Sequence, residues 1–337
     1  MRLDVLDAET LARVGWVDVW VSLYWDSPYY SEGGFTLEVR PTDENLQLLQ
    51  GGRWLVRSDE EPRIPMRICS RANQNQDANL VVSGYPATWI LTKRVSAATI
   101  KEQNAEQAMR SLVAAMRPWP RLDLGTAYGF DTIFSKQTSG GSVFDYCQTI
   151  GQACDLGFRI VLDGKGSEKK LLFECFRPTF DPNHRFSPKW GNLLNAGWSF
   201  ADTDYANVAL VQGAGEGAAR ATAWVGQVDS TGDARREMYI DARDLQPDSE
   251  KGETTTSPSY LQKLADRGGE KLLAQLRTGS IEFDVDDDTL QVGDVLQANL
   301  PQLSYTAMVR VADIITESQA SGTTRTIRLG TPAWTKT

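Results

Sequence analysis

The chain has 337 residues, of which 41% are hydrophobic and 23% charged, and its 35 basic and 44 acidic residues give a formal net charge of −9. This size and composition indicate a globular protein of about two domains, and the acidic balance argues against a protein that grips the phosphates of duplex DNA. No apolar run approaches the roughly 20 residues that span a bilayer, and the start lacks the apolar core of a signal peptide, so we expect folding in the cytoplasm.

The first hundred residues are dominated by strand patterns. Trp16 to Trp25 alternates between apolar and polar residues, Asp26 to Gly34 has turn composition, and short β-runs continue to Ile90. This part of the chain predicts a β-barrel or a β-sandwich.

The period becomes helical from Thr99, and Pro118 ends the helix. Its apolar stripe consists of Ala105, Ala108, Met109, Leu112, Val113 and Met116. A second helix is predicted from Ser142, since Asp145 can bond back to the cap amide, and Gly157 is the expected left-handed stop. A hairpin from Phe158–Leu162 to Leu171–Phe176 then completes a small α+β unit.

Strand patterns return after three prolines that mark a boundary, Pro178, Pro182 and Pro188. Asn207 to Gln212 predicts a buried strand, and two further strands are predicted at residues 221–228 and 236–240. Ser257 and Pro258 favour the start of a helix, for which we expect a break at Gly268-Gly269.

Two distant stretches share one β-pattern. Each contains an alternating strand, a glycine turn, two short strands and a last strand that ends at glycine. The N-terminal copy has Phe35 to Val39, Gly51-Gly52, Trp54 to Val56, Met66 to Ile68 and Leu80 to Gly84. The C-terminal copy has Ile281 to Val285, Gly293-Asp294, Val295-Leu296, Val309 to Val311 and Thr326 to Gly330. A chain with one small β-domain at each end can place two near-equivalent surfaces around an axis.

Candidate catalytic residues are few. The one histidine, His184, lies in a proline-punctuated stretch that we expect to be a loop with a structural or solvent-exposed role. Gly213 to Gly217 follows a strand, but a strand rather than a helix is predicted after it, which argues against a phosphate loop. Asp284, Asp286 and Asp288 resemble the start of a calcium loop, yet Thr289 and Val295 occupy its essential glycine and glutamate positions.

The remaining candidates are weaker. Asp202 and Asp204 could be proposed as paired carboxylates of a hydrolase, and the tryptophans, among them Trp16, Trp20, Trp25, Trp54 and Trp89, could line a sugar site. The four cysteines, Cys69, Cys147, Cys154 and Cys175, have no metal-ligand spacing, and Cys147 and Cys154 are expected in the core. The sequence therefore predicts no catalytic site, no cofactor and no metal.

Residues 205–245 carry a resemblance to a known family. Tyr205 to Gly213, Gly215-Glu216-Gly217 and Arg235 to Leu245 resemble the siphophage tail-hub family, which is also called the tail-associated or baseplate-hub family. Gly34 to Leu37, Gly84 to Arg94, Val292 to Asp294 and Ala307 to Val311 agree with it. The resemblance covers nearly the whole chain, and its motifs are specific through their order.

The resemblance implies an α+β, β-rich fold with two similar tube-type β-barrels and an α+β lobe. The expected domains are the first barrel at residues 1–98, the lobe at 99–188, a discontinuous second barrel at 189–215 and 277–337, and an inserted segment at 216–276 whose helix packs on the lobe. Residues 192–213 are expected to supply strands to the second barrel.

The implied function is that of a non-enzymatic hub in the virion tail of a phage or prophage. Three chains would present six similar barrels to a hexameric tail-tube ring. The implied partners are other copies of the chain, tail-tube and distal tail proteins, the tape-measure protein and a distal fibre or receptor-binding protein. DNA would pass through an acidic channel without specific binding. The alternatives are a tail-associated cell-wall hydrolase and a carbohydrate-binding receptor module.

Overall fold

The fold is known from a computed structural model that describes residues 1–73, 78–136, 140–191, 194–201, 203–273, 275, 278–284, 289–300, 305–330 and 333–336. The protein is strand-rich α+β, as the sequence predicts. Within the described residues, no helix is both long and apolar enough to cross a bilayer.

Seven strands and one short helix form the first unit, at residues 3–86. They are β1 (Leu3–Leu6), β2 (Arg13–Val17), β3 (Ser22–Pro28), β4 (Gly34–Val39), α1 (Asp43–Leu48), β5 (Trp54–Arg57), β6 (Met66–Ala72) and β7 (Leu80–Pro86). Antiparallel pairing gives the order β3-β4-β7-β6-β5-β1-β2. Alternate residues of β3, β4 and β7 are buried in one core, in which Trp25, Leu37 and Met66 are inaccessible to solvent. A sheet that buries one face around a common core is curled.

The α+β lobe follows, at residues 89–176. Its elements are α2 (Trp89–Thr92), β8 (Val95–Ser96), β9 (Ile100–Asn104), α3 (Ala105–Ala115), β10 (Leu122–Leu124), β11 (Ile133–Lys136), β12 (Gly141–Ser142), α4 (Val143–Cys154), β13 (Gly157–Asp163) and β14 (Lys170–Phe176). Helices α3 and α4 and the predicted hairpin of β13 and β14 share a core with Trp54 and Val56 of the first unit.

The predicted helix starts are largely correct, with one exception. Residues 100–104 form strand β9, and α3 begins only after Asn104, whose side chain accepts a hydrogen bond from the Gln107 N–H. Such a cap fixes the first turn, so the helix cannot begin at Thr99 as predicted. At α4 the predicted reciprocal bonds between Ser142 and Asp145 are both present.

The predicted left-handed stop of α4 is wrong by two residues. Asp155, with φ of 49°, is the left-handed residue, and Gly157 begins β13 with no positive φ. A Cβ atom at position 157 would lie 2.2 Å from a ring carbon of Tyr29, so this glycine permits close packing rather than a turn.

Strands β15 (Phe180–Phe186) and β16 (Leu194–Ala201) precede a separate small layer, the insert. It consists of β17 (Val208–Gln212), β18 (Thr222–Gly226), β19 (Glu237–Asp241) and α5 (Pro258–Leu273). We expected residues 192–213 to supply the second barrel with strands. Strand β16 does pair with residues 278–284 of the C-terminal part, but β17 pairs with β18 and β19 instead. Helix α5 packs on β17 and β18 and also approaches β11 of the lobe.

Helix α5 has no break at Gly268-Gly269, contrary to the prediction. A Cβ atom at Gly268 would lie 2.8 Å from the Val225 Cγ2 atom and 2.9 Å from the Val211 Cγ2 atom. The glycine therefore lets the helix lie close to its sheet.

The second unit contains β15, β16 and five strands at the C-terminal end. These are β20 (Thr278–Asp284), β21 (Val295–Leu300), β22 (Tyr305–Gln319), β23 (Gly322–Leu329) and β24 (Ala333–Lys336). Their core contains Phe186, Leu296, Val311 and Ile327. Strand β15, which we expected in the lobe, pairs in parallel with β21 of this unit.

Candidate assembly site

The two units repeat one order of strand pairing. In the first unit the order is β3-β4-β7-β6-β5, and in the second it is β16-β20-β23-β22-β21, with every pair antiparallel. Five strands therefore correspond one to one, and the sequence pattern that we noted at the two ends of the chain reflects a structural repeat.

The repeat extends to individual residues. The register of β5 on β6 pairs Leu55 with Met66, as that of β21 on β22 pairs Leu296 with Val309. The register then shifts between Ile68 and Ser70 in β6 and between Val311 and Asp313 in β22. The matched positions are Trp25 with Trp198, Phe35 with Ile281, Met66 with Val309 and Ile68 with Val311. Two strands that bulge at the same position belong to equivalent units.

A glycine turn precedes β5 in the first unit and β21 in the second. Gly52 and Gly293 have φ of 87° and 89°, a conformation that favours glycine. The Gly52 N–H donates to the Ile68 carbonyl oxygen at 2.8 Å, and the Gly293 N–H donates to the Val311 carbonyl oxygen at 2.9 Å. The same backbone hydrogen bond thus joins the turn to the equivalent strand in both units.

One arginine of each unit reaches the α+β lobe from the equivalent strand position. The Arg67 guanidinium lies 5.3 and 5.4 Å from the ring centroids of Trp89 and Trp119, and 5.0 Å from that of Trp54. The Arg310 guanidinium donates to both carboxylate oxygens of Asp155 and lies 5.1 Å from the Tyr29 ring centroid. The signal for these two arginines in the sequence is their equal position in the repeated strand pattern.

Strands β3 and β22 join the two units. They pair antiparallel from Asp313 opposite Pro28 to Gln319 opposite Ser22. Polar side chains reinforce this junction: the Trp20 indole N–H donates to the Ser318 Oγ atom at 3.2 Å, and the Arg57 Nη1 atom donates to the Thr316 Oγ1 atom at 2.9 Å. The junction places the units side by side in one continuous sheet.

A cavity of about 720 Å³ lies at this junction. Residues of both units line it, among them Arg57, Glu60, Val292, Thr316 and Arg325. Burial raises the pKa of Glu60 to about 7, although the nearby Arg57 cation and a hydrogen bond from the Ser27 Oγ atom at 3.0 Å oppose the shift. Its other carboxylate oxygen has no hydrogen-bond partner among the described residues. Nothing in the sequence pattern marked Glu60.

A pair of acids, Asp26 and Asp313, lies on the opposite face of the joined strands. Burial, followed by the nearby Asp313 carboxylate, raises the pKa of Asp26 to about 7. Burial also raises the pKa of Asp313, which accepts a hydrogen bond from the Ser31 Oγ atom at 3.0 Å. Two acids of the junction, Glu60 and Asp26, thus have a pKa of about 7.

The catalytic candidates that the structure describes lie on different elements. His184 lies on strand β15 rather than in a loop, and its side chain is largely buried 3.9 Å from Asp294. The loop from Gly213 leads into strand β18, as predicted, and wraps the Tyr260 hydroxyl, which accepts a hydrogen bond from the Ala214 N–H. It is a packing element of the insert.

The acidic and aromatic candidates are described only in part. Asp204 is exposed, whereas Asp202, Asp286 and Asp288 lie outside the described residues. Asp284 ends β20. Trp25 and Trp54 are buried in the cores, and Trp16 is 50% exposed at the edge strand β2.

The cysteines are unpaired, with Cys69 exposed and Cys147, Cys154 and Cys175 buried, so the core prediction for Cys147 and Cys154 is confirmed. In the part of the chain that the structure describes, no group of three His, Cys, Asp or Glu side chains could hold a metal ion.

Comparisons with solved structures show the fold. The chain is similar to a prophage MuSo2 tail protein from Shewanella oneidensis, with a TM-score of 0.62, 10% identity and 98% of each chain covered. It is similar to a tail protein from Neisseria meningitidis, with a TM-score of 0.58, 13% identity and coverage of 98% of this chain and 96% of that one. A prophage tail protein from Listeria monocytogenes has a TM-score of 0.54 at 8% identity, with 98% and 94% of the chains covered. The predicted tail-protein fold is confirmed.

Sequence comparison shows the family. No curated protein sequence matches the chain. The model of one family, described as Siphovirus ReqiPepy6 Gp37-like protein, matches residues 2–331. Because this match spans almost the whole chain, the protein belongs to the Siphovirus ReqiPepy6 Gp37-like family of tail proteins, whose place is the virion tail.

Proposed function

We propose that the protein is the hub of a phage or prophage tail tip and forms a trimeric ring. The observation that carries this proposal is the repeat of five strands, β3-β4-β7-β6-β5 and β16-β20-β23-β22-β21, within one chain. A three-fold body makes six similar contacts when each protomer supplies two related surfaces. Three chains of this kind supply six units, the number that a hexameric tail-tube ring requires.

In this proposal, each of the two units of one chain is a tube-type barrel. Two observations support the barrels: all strands of the first unit share a single core, and the second unit also has a shared core. The lobe and the insert occupy the outside or the underside of the ring. The lobe buries Trp54 and Val56 on one face of the first unit, so that face does not line a channel.

The proposed partners are copies of the same chain, the tail-tube and distal tail proteins, the tape-measure protein and a distal fibre or receptor-binding protein. DNA passes through the centre of the ring. The net charge of −9 supports an acidic lining, which repels DNA phosphates and lets the genome pass without adhesion. A basic lumen in the assembled ring would contradict this part of the proposal.

Two measurements on the purified protein test the ring. Native mass spectrometry should give three times the mass of the 37.3 kDa chain. Electron-microscopy class averages viewed down the axis should show six lobes on a three-fold body. A strict monomer at high concentration, or a particle of different symmetry, would contradict the proposal.

We also propose that the chain has no enzymatic role. The family and the fold are those of tail proteins, which supports a structural function. Addition of the purified protein to a peptidoglycan suspension should leave the turbidity of the suspension unchanged. Clearing that is lost in an Asp204→Asn variant would instead favour the hydrolase alternative.

A further inference from the structure

Strand β16 has one unused edge. Within the described residues it pairs with β20 alone and ends the path of the large sheet. Exposed edge strands are commonly protected by charged residues or proline. Residues Leu194–Ala201 contain neither, so nothing in this segment prevents another strand from pairing with it.

Strand β6 has a second unused edge. Strand β5 pairs only with Met66 and Arg67, and the turn before it bonds to Ile68. Beyond the bulge, no described strand pairs with Ser70–Ala72 on the side away from β7. Ser70 and Ala72 are exposed, so this segment is open to a partner strand.

The junction within the chain shows what fits these edges. In the repeat, β16 corresponds to β3, and β6 corresponds to β22. Strands β3 and β22 pair with each other at the corresponding edges, and Pro28, Ser27 and Asp26 lie opposite Asp313, Ile314 and Ile315. The first unit thus contributes its β3 edge to the second unit's β22, whereas the equivalent edges of β16 and β6 have no partner strand among the residues that the structure describes.

We propose that β16 of one copy pairs antiparallel with β6 of the next copy, with Ala201 opposite Ser70, Phe200 opposite Arg71 and Ser199 opposite Ala72. This inference rests on the ring proposed above and names the contact that closes it. The register follows from the repeat, because Trp198 matches Trp25 and Ser70 follows the bulge as Asp313 does. Each contact between copies then has the same strand pairing as the junction within a chain, and a head-to-tail contact that repeats with three-fold rotation closes into a ring.

Disulfide formation between copies tests this register. The Tyr29 N–H donates to the Ala312 carbonyl oxygen, so the next pair, Pro28 with Asp313, is a non-hydrogen-bonded pair. Its counterpart is Ala201 with Ser70. In such pairs the Cα atoms lie about 4.5 Å apart, and a disulfide accepts Cα separations of about 4.4 to 6.8 Å. The test variants are Ser70→Cys with Ala201→Cys, and Ala72→Cys with Ser199→Cys.

The experiment uses the full chain with Cys69→Ser, since Cys69 is exposed beside the new thiols. Burial raises the pKa of Cys147, Cys154 and Cys175, so these thiols stay unreactive. A pair displaced by two residues, Ala72→Cys with Ala201→Cys, is the control between copies. The control within the chain is Asp26→Cys with Ile315→Cys. Oxidation of this variant should lower the number of free thiols but leave the band at the mass of one chain.

Mild oxidation of the two test variants should give dimer and trimer bands, and none larger, on a non-reducing gel. Mixing chains that carry only Ser70→Cys with chains that carry only Ala201→Cys should give a dimer band. A native trimer without these bands, or with stronger bands from the displaced pair, would overturn the register and leave the ring proposal standing. A native monomer would overturn both.

Discussion

Arg67 and Arg310 occupy the same position in the two repeats and both bind the α+β lobe, but by different chemistry. Arg67 stacks among Trp54, Trp89 and Trp119, whereas Arg310 pairs with Asp155 and donates to the Pro178 carbonyl oxygen at 3.0 Å. One chain can therefore hold a single lobe against two similar units. Both arginines contact the lobe from equivalent positions of the repeat. The residues opposite each arginine decide whether it stacks on indole rings or pairs with a carboxylate.

Replacement of Arg310 by methionine should lower the free energy of unfolding by about 2 kcal/mol, because a charged donor loses a carboxylate and leaves carbonyl oxygens unpaired. Urea unfolding followed by tryptophan fluorescence measures the effect. Asp155→Asn should cost less, since asparagine tolerates the left-handed conformation at 155 and the Asp155 side chain is 57% exposed. Equal costs for the two variants would contradict this assignment.

Replacement of Arg67 by methionine should cost about 1–2 kcal/mol, since a half-buried guanidinium loses its contacts with three indole rings. The cost should be the same at low salt and in 1 M NaCl, because within the described residues Arg67 makes no ion pair. Arg67→Lys should recover part of the loss, as lysine keeps the charge but not the planar stacking. Urea midpoints at the two salt concentrations distinguish this from an electrostatic role.

Glu60 should make the protein less stable as pH rises towards neutrality. Its pKa is about 7 in the folded protein and close to the ordinary 4.5 in the unfolded chain, so the folded state binds more protons between these values. Stability from Glu60 is therefore fully present below pH 4.5 and is lost as pH rises through 7, with a slope of up to about 1.4 kcal/mol per pH unit. Asp26 acts in the same direction.

A Glu60→Gln variant should remove this contribution, because the amide oxygen can still accept from Ser27 and carries no charge. Its unfolding midpoint should exceed that of the natural protein at pH 8 and match it at pH 4.5. Glu61→Gln is the matched control, since the Glu61 side chain is 81% exposed and should change neither value. A pH profile that is unchanged in Glu60→Gln would refute the role of this carboxyl group.

Local signals predicted much of the fold. The box of Ser142 and Asp145 fixed the start of α4, since two hydrogen bonds satisfy its first amides regardless of the surroundings. The pattern around Phe35 and Ile281 indicated a repeat, because a strand with one buried face must alternate. Packing decided what local pattern could not. Gly157 resembles a helix stop, yet it is small because Tyr29 lies against it.

Of the assembly site, the sequence predicted the repeat but neither the strand partners nor the buried acids. Periodicity identifies strands but not their partners, so β17 was expected in the second barrel although it pairs with β18 and β19. Glu60 and Asp26 have no sequence signature, since their raised pKa values arise from burial at a junction between residues far apart in the chain.

Two neighbouring glycines of helix α5 should respond in opposite ways to alanine. Gly268→Ala should destabilise the protein by about 1–3 kcal/mol, because its methyl group would overlap Val211 and Val225 of the insert sheet. Gly269→Ala should stabilise it by about 0.5–1 kcal/mol, since no atom lies within 4 Å of its Cβ position and alanine favours the helix. Because both changes add one methyl group to one helix, unfolding midpoints that shift in the same direction would contradict the close packing of α5 on β17 and β18.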